Sequence, residues 1–299
     1  MTTNTLERRK RETRTSRNLS VYPKARDLIW FEKLAYHGAL TGYTLHQFTK
    51  HLPRGANEAA SLRRAGTLFH EKNTPDGGAY LDRPEAQFAT LETETNDLIY
   101  DINLYSRRAL EAEEIYAPPH KRGWDVHQFM TAHITSSIEL AAGDRFIPQH
   151  EITDKPLSIP LGENSLTPDA MFGIKYGNQK RVFLVEADRA TEVVRSEDYK
   201  RKTAIQNFKQ YGKFVREGLY KQHFGIKSGL MLLFVTVNET RMYNLIDLLM
   251  ELSNGKGNNY ILFKTIPSFT RFFKPPKPDL AFFTEPWKRA GHPDFYIDK

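Results

Sequence analysis

Three acidic residues stand near the ends of two stretches that read as paired strands: Asp169 in TPDAMFGIKY, and Glu186 and Asp188 in KRVFLVEAD. Gly177-Asn178, between the stretches, carries the turn signal of a β-hairpin. Side chains alternate along an extended segment, so Val182, Leu184, Glu186 and Asp188 share one side and Phe183 and Val185 the other. Folding the hairpin about residues 176–180 sets Asp169 across from Asp188 and Met171 across from Glu186, to within a register step. Three carboxylates packed this closely repel one another, and beside an apolar strand they stay ionised only if a cation or hydrogen bonds compensate. An all-oxygen ligand set suits magnesium or manganese. The expected chemistry is a divalent-metal site; the alternative is a set of ordinary strand-end acids facing solvent.

The elements around these acids follow from periodicity. Upstream, residues 24–37 have helical apolar spacing ended by Gly38, residues 44–51 read as a short helix stopped near Pro53, and Asn57 is a good N-cap for a third helix. Residues 78–81 and 87–91 read as two short strands, and residues 97–114 as mixed strand and helix. Ala117-Pro118-Pro119 marks a linker. The stretch WDVHQFMTAHITSSIELAAG then reads as a helix, with His127 and His133 six apart and off a common face. After the hairpin come a basic helix over 196–218, the buried strand GLMLLFVTV, a helix over 239–253, the strand YILFKTI and a terminal strand DLAFF. That order predicts an α/β domain of three α/β/α layers. The expected division is a basic arm over 1–23, an α+β domain over 24–117 and the α/β domain over 118–299.

Composition sets the outer bounds. The 299 residues are 39% hydrophobic, which is enough for two packed cores. No Cys is present, so disulfides, thiolate zinc sites and cysteine nucleophiles are excluded. No long apolar run and no apolar leader is visible, so a cytoplasmic location without membrane association is expected. The net charge of +7 is uneven. Residues 1–26 hold eight Lys or Arg against two Glu, residues 27–117 hold nine against fourteen acids, and residues 118–299 again carry a basic surplus. The arm, including Arg8, Arg9, Lys10 and Arg11, suits phosphate neutralisation, with DNA as the expected partner.

Pro168-Asp169 followed by Glu186-Ala187-Asp188 resembles the PD-(D/E)XK nuclease signature. The longer string PDAMFGI…VFLVEADRATE, with NFKQYGKFV after it, resembles the replication-relaxation family of plasmid and phage mobile-element proteins, whose EXDRXTE pattern is matched by Glu186, Asp188, Arg189, Thr191 and Glu192. The resemblance implies a winged helix-turn-helix joined to a nuclease-like domain, in which Asp169, Glu186 and Asp188 hold magnesium or manganese and Glu139 of the preceding helix adds a fourth ligand. It also implies that the third helix of the winged unit meets DNA through Arg63, Arg64 and Lys72. One departure matters: the signature usually has a Lys two residues after the Glu, and Asp188 stands there. Lys200 or Lys202 would then have to supply the basic group. Asn207 with Tyr211 likewise stands where related nucleases carry QXXXY. Two outcomes stay open, a weak metal-dependent DNA endonuclease and a catalytically silent DNA-binding regulator. The acidic N-terminal domain suits a protein partner such as a relaxase or initiator, and a homodimer is also open.

Deleting residues 1–26 is expected to flatten the slope of log DNA affinity against log salt by up to roughly 0.9 for each phosphate that the arm neutralises. Anisotropy titrations across a salt series measure this, and an unchanged slope means that the arm does not touch DNA.

Overall fold

The computed structural model describes residues 21–53, 55–70, 78–83, 98–119, 125–162, 164–190, 204–270 and 275–299, and elements are numbered among these. The chain is a mixed α/β protein. Its N-terminal part comprises α1 (Ala25–His37), β1 (Leu40–Thr41), α2 (Gly42–Thr49), α3 (Glu58–Phe69), β2 (Leu81–Asp82), β3 (Ile99–Ile102) and α4 (Leu104–Ala112). Thr41 and Asn57 cap α2 and α3 by accepting the Thr44 and Ala60 amides. The three strands pair antiparallel in the order β1-β3-β2. Trp30, Phe31, Leu34, Leu45, Leu68, Tyr100, Ile102 and Leu110 close the core between helices and sheet. Of the two strands expected at 78–81 and 87–91, the first is observed as Leu81–Asp82, and the second lies outside the described residues.

The C-terminal part contains α5 (Val126–Ala142), β4 (Phe146–Pro148), α6 (Gln149–Ile152), the small hairpin β5 (Ile159–Leu161) and β6 (Asn164–Leu166), then β7 (Ala170–Tyr176), β8 (Gln179–Asp188), α7 (Ala204–Arg216), α8 (Leu219–Phe224), β9 (Leu230–Thr236), α9 (Glu239–Leu252), β10 (Ile261–Thr265), α10 (Ala281–Thr284), β11 (Trp287–Arg289) and β12 (His292–Phe295). Seven strands form one mixed sheet in the order β12-β11-β10-β9-β8-β7-β4. Parallel pairing joins β8, β9 and β10 at its centre, and antiparallel pairing flanks them. A parallel pair requires a crossover, and α7 and α9 provide the two needed here. Phe208, Phe214, Leu245 and Leu249 of these helices pack on one face of the sheet with Val182, Leu184, Leu232 and Phe263. On the other face Phe129, Ile134 and Ile138 of α5 and Phe282 of α10 pack with Phe172, Phe183, Val185 and Val235.

Two expectations are corrected. DLAFF does not extend the sheet; its last residues form the one-turn α10, and the edge is built instead by β11 and β12 around Gly291, whose φ of +68° suits the turn between them. The hairpin register is tighter than expected. Tyr176 pairs with Gln179 across a two-residue turn at Gly177-Asn178, so Met171 faces Leu184 and not Glu186. Among the described residues outside glycine only Glu114, Ala190 and Asn254 have positive φ, so Gly177 at +58° is the one central turn residue in that region, the pattern of a type II′ turn.

Helix α5 is sealed on nearly all sides: every residue from Phe129 to Ile138 is buried. Its His133 has an Nε2 with no hydrogen-bond partner, and burial pushes its pKa down to about 4. Unfolded His133 therefore takes up its proton near pH 6.5, whereas the folded form resists until about pH 4. Below pH 6.5 the unfolded state binds more protons, and stability drops as the pH falls through that window, by about 3 kcal/mol in total. Denaturant titrations between pH 7 and 4 should show this loss in wild type and a flatter profile in His133→Leu; parallel profiles for the two proteins refute the assignment.

Candidate functional site

The antiparallel register ends at Ala170 on Val185, and Asp169 precedes the first paired residue of β7, beside the carboxyl end of β8. The Asp169 amide donates to the carbonyl of Val185, the partner of Ala170, at 2.9 Å, so the regular ladder breaks at this residue. Its side chain is fixed from two directions. Oδ2 accepts the Ala187 amide at 2.7 Å, and Oδ1 lies 2.9 Å from His127 Nε2 in the first turn of α5. Glu186 shares the α7 side of β8 with Val182 and Leu184, and only 7% of it is exposed. Its Oε1 accepts the hydroxyl of Tyr211, which α7 carries down onto the sheet.

Four groups thereby form one electrostatic unit. The bond from Asp169 is the largest influence on His127; burial opposes it, but the charges of Asp169, Asp125 and Glu186 add to it, and the imidazole pKa is raised. Burial leads in holding Tyr211 well above the usual phenol range, with the charge and bond of Glu186 and then the charge of Asp169 reinforcing it. Tyr211 thus stays a neutral donor to a buried acid. One helical turn earlier, Asn207 is 4% exposed and its Oδ1 has no hydrogen-bond partner. The Asp169 charge acts on Tyr211 and the Glu186 charge acts on His127, so each carboxylate is felt by the other's partner. Each Asp169 oxygen accepts one bond from the groups named and keeps a lone pair for more. Magnesium or manganese fits such a set, since these ions take one or two protein carboxylates and fill the rest with water or phosphate oxygens.

The third acid does not join. Asp188 turns to Arg241 of α9, which donates through Nε at 2.7 Å and Nη2 at 3.1 Å. It also accepts the Thr236 hydroxyl at 3.0 Å and the Ala190 amide at 2.9 Å. The expected convergence of three carboxylates is therefore corrected to two, and no group of three His, Asp or Glu side chains able to hold an ion is present among the described residues. Glu139 is corrected as well. It lies twelve residues beyond His127 on one straight helix, about 18 Å along the axis. There it bonds Lys33 at 2.6 Å and His37 at 2.5 Å, tying α5 to α1. Burial works against its ionisation, but the bond from His37 and the charges of His37 and Lys33 outweigh it, and its pKa falls below the ordinary carboxylate value.

On the N-terminal part, Arg64 is turned inward. Its guanidinium grips the fully buried Asp27, with Nη2 to Oδ2 at 2.6 Å, which matches a buried charge with its counter-charge and leaves the arginine unsuited to reading DNA. Arg63, on the same helix, is exposed. Arg8, Arg9, Lys10, Arg11, Lys72, Lys200 and Lys202 lie outside the described residues. His127, Arg241 and Thr236 were not among the site residues expected from sequence. His127 sits two residues after the helix cap Asp125, a place that only the tertiary packing of α5 against the hairpin end makes functional.

Comparison of the chain with known protein families, with curated proteins and with solved structures finds no match. No helix among the described residues is long and apolar enough to cross a membrane.

Replacing Tyr211 with Phe leaves the Glu186 carboxylate buried without its hydroxyl donor and is expected to lower folding stability by about 1 to 3 kcal/mol. Urea unfolding at pH 7 measures it; an unchanged midpoint and slope mean that Glu186 does not depend on this bond.

Proposed function

We propose that this chain is a DNA-binding protein of a plasmid, phage or other mobile element, with a winged helix-turn-helix in front of a PD-(D/E)XK-like domain that binds magnesium or manganese and hydrolyses phosphodiester bonds slowly. The observation that carries the reading is Asp169 beside the carboxyl end of a central strand, bonded to the Ala187 amide next to Glu186. The succession of helix α5, strands β4, β7 and β8, helix α7 and the parallel strand β9 supports it, since the resembled nucleases set their carboxylates on a hairpin of this kind. For the N-terminal part, three helices with a three-stranded sheet supply the elements of a winged helix.

Asp169 and Glu186 would hold the metal, which when bound supplies a more acidic water and neutralises charge on the phosphate oxygens. The protein's own share is preorganisation. The Ala187 amide and His127 fix the rotamer of Asp169, and Tyr211 fixes that of Glu186, so neither carboxylate has to be ordered when substrate arrives. Asp188 in place of the signature's Lys removes a group that would assist an attacking water, so turnover is slow and favours manganese.

That same position carries the second reading. Asp188 is fully engaged by Arg241, Thr236 and Ala190, which favours a catalytically silent protein that recognises an operator, origin or transfer region. A nicking assay on supercoiled plasmid separates the two. Wild type should nick slowly, faster in manganese than in magnesium, and Asp169→Asn should reduce the rate by more than about 100-fold. Folded wild type that binds DNA without nicking it establishes the silent reading, and wild type that does neither overturns both.

A further inference from the structure

We propose that Arg241 is a phosphate-contacting residue of this site and that Asp188 is the residue that positions it; the inference rests on the phosphodiester reading above. A guanidinium carries five N–H donors. Arg241 meets Asp188 side-on, through Nε and one hydrogen of Nη2. The end-on edge, Nη1 and the second hydrogen of Nη2, bonds nothing among the described residues. Three donors in a rigid plane are left over, the geometry that engages two oxygens of one phosphate. Nη1 is also not sealed in the interior, unlike the unpartnered Nε of Arg189.

Stability alone gives a poor account of the pair. The two side chains are only 12% and 9% exposed, and at such burial an ion pair contributes little more than well-packed apolar residues of the same volume. What the pair does is fix a cation. Asp188 is itself held by Thr236 from the adjacent parallel strand and by the amide of Ala190, whose φ of +58° turns the chain away from β8 directly after the site. Asp188 stands two residues from Glu186 on the same side of the strand, about 6.6 Å away along it. A phosphate lying against the Asp169 and Glu186 carboxylates would meet repulsion from all three acids. Arg241, bonded to the acid two residues along the strand, is the cation that offsets it, and it cannot lose its charge at any working pH.

The test measures binding of a labelled 20-base-pair duplex, with calcium present, across a salt series, alongside thermal melting to verify folding. Asp188→Asn keeps the arginine's charge and should keep the salt slope of wild type. Asp188→Asn combined with Arg241→Gln removes the cation without leaving a buried carboxylate unpaired; the slope should become shallower by about 0.9 and affinity should fall about tenfold. A folded double variant with the slope and affinity of Asp188→Asn overturns the inference while leaving the phosphodiester reading to the nicking assay. Wild type with no affinity for the duplex at any salt overturns both.

Discussion

The turn at Gly177-Asn178 is the constraint from which the arrangement of the site follows. A hairpin side chain changes faces with every residue, so each residue added to or removed from the turn re-deals every partner along β7 and β8. With two residues in the turn, Ala170 on Val185 is the last pair of the hairpin, and Asp188 runs past the end of β7. Because β8 also pairs in parallel with β9, that overhang places Asp188 beside Thr236, within reach of the first turn of α9. Two acids remain together at the hairpin's end, and the third is given to an arginine.

Four buried acids obey one rule. Asp27, Glu139, Glu186 and Asp188 are each largely withdrawn from water, and each meets a donor or counter-charge from an element distant in sequence: Arg64, His37 with Lys33, Tyr211, and Arg241. Unpaired, any of them would weaken the fold considerably. Paired, they act as locks between elements that apolar packing alone would leave free to slide. Among the buried polar atoms that lack a partner are the Asn207 Oδ1 and the His133 Nε2, and the former lies one turn from the residue that holds Glu186.

Much of this was legible in the sequence, and the gaps have physical causes. Alternation in VFLVEAD assigned the two faces of β8 as observed, and the apolar run LMLLFVT gave a buried strand because nothing else of that length is uniformly apolar. Cap residues and Gly38 bounded the early helices to within a few residues. Register was less accessible, since a two-residue and a five-residue turn share the same Gly-Asn signal. Side-chain partners were inaccessible altogether. Glu139 looked like a ligand because the resembled fold often draws a Glu from its first helix, yet the helix presents its first turn to the hairpin and carries Glu139 to the other end. Arg64 looked like a surface cation, but Asp27, thirty-seven residues earlier, lies beneath it.

Helix α5 serves two cores at once. Its Ala132 belongs to the cluster formed by α1 to α4, while Ala39 and Ile99 from that N-terminal part belong to the cluster beneath the large sheet. His37 adds a bond to Thr135 on the same helix. The N-terminal part thus does not ride on the α/β part as a separable cassette. Cutting the chain at the proline pair 118–119 would strip one side of α5 and expose apolar surface on both fragments. A unit rooted in this way has lost the freedom to swing on a tether, and its surface keeps a fixed angle to the large sheet.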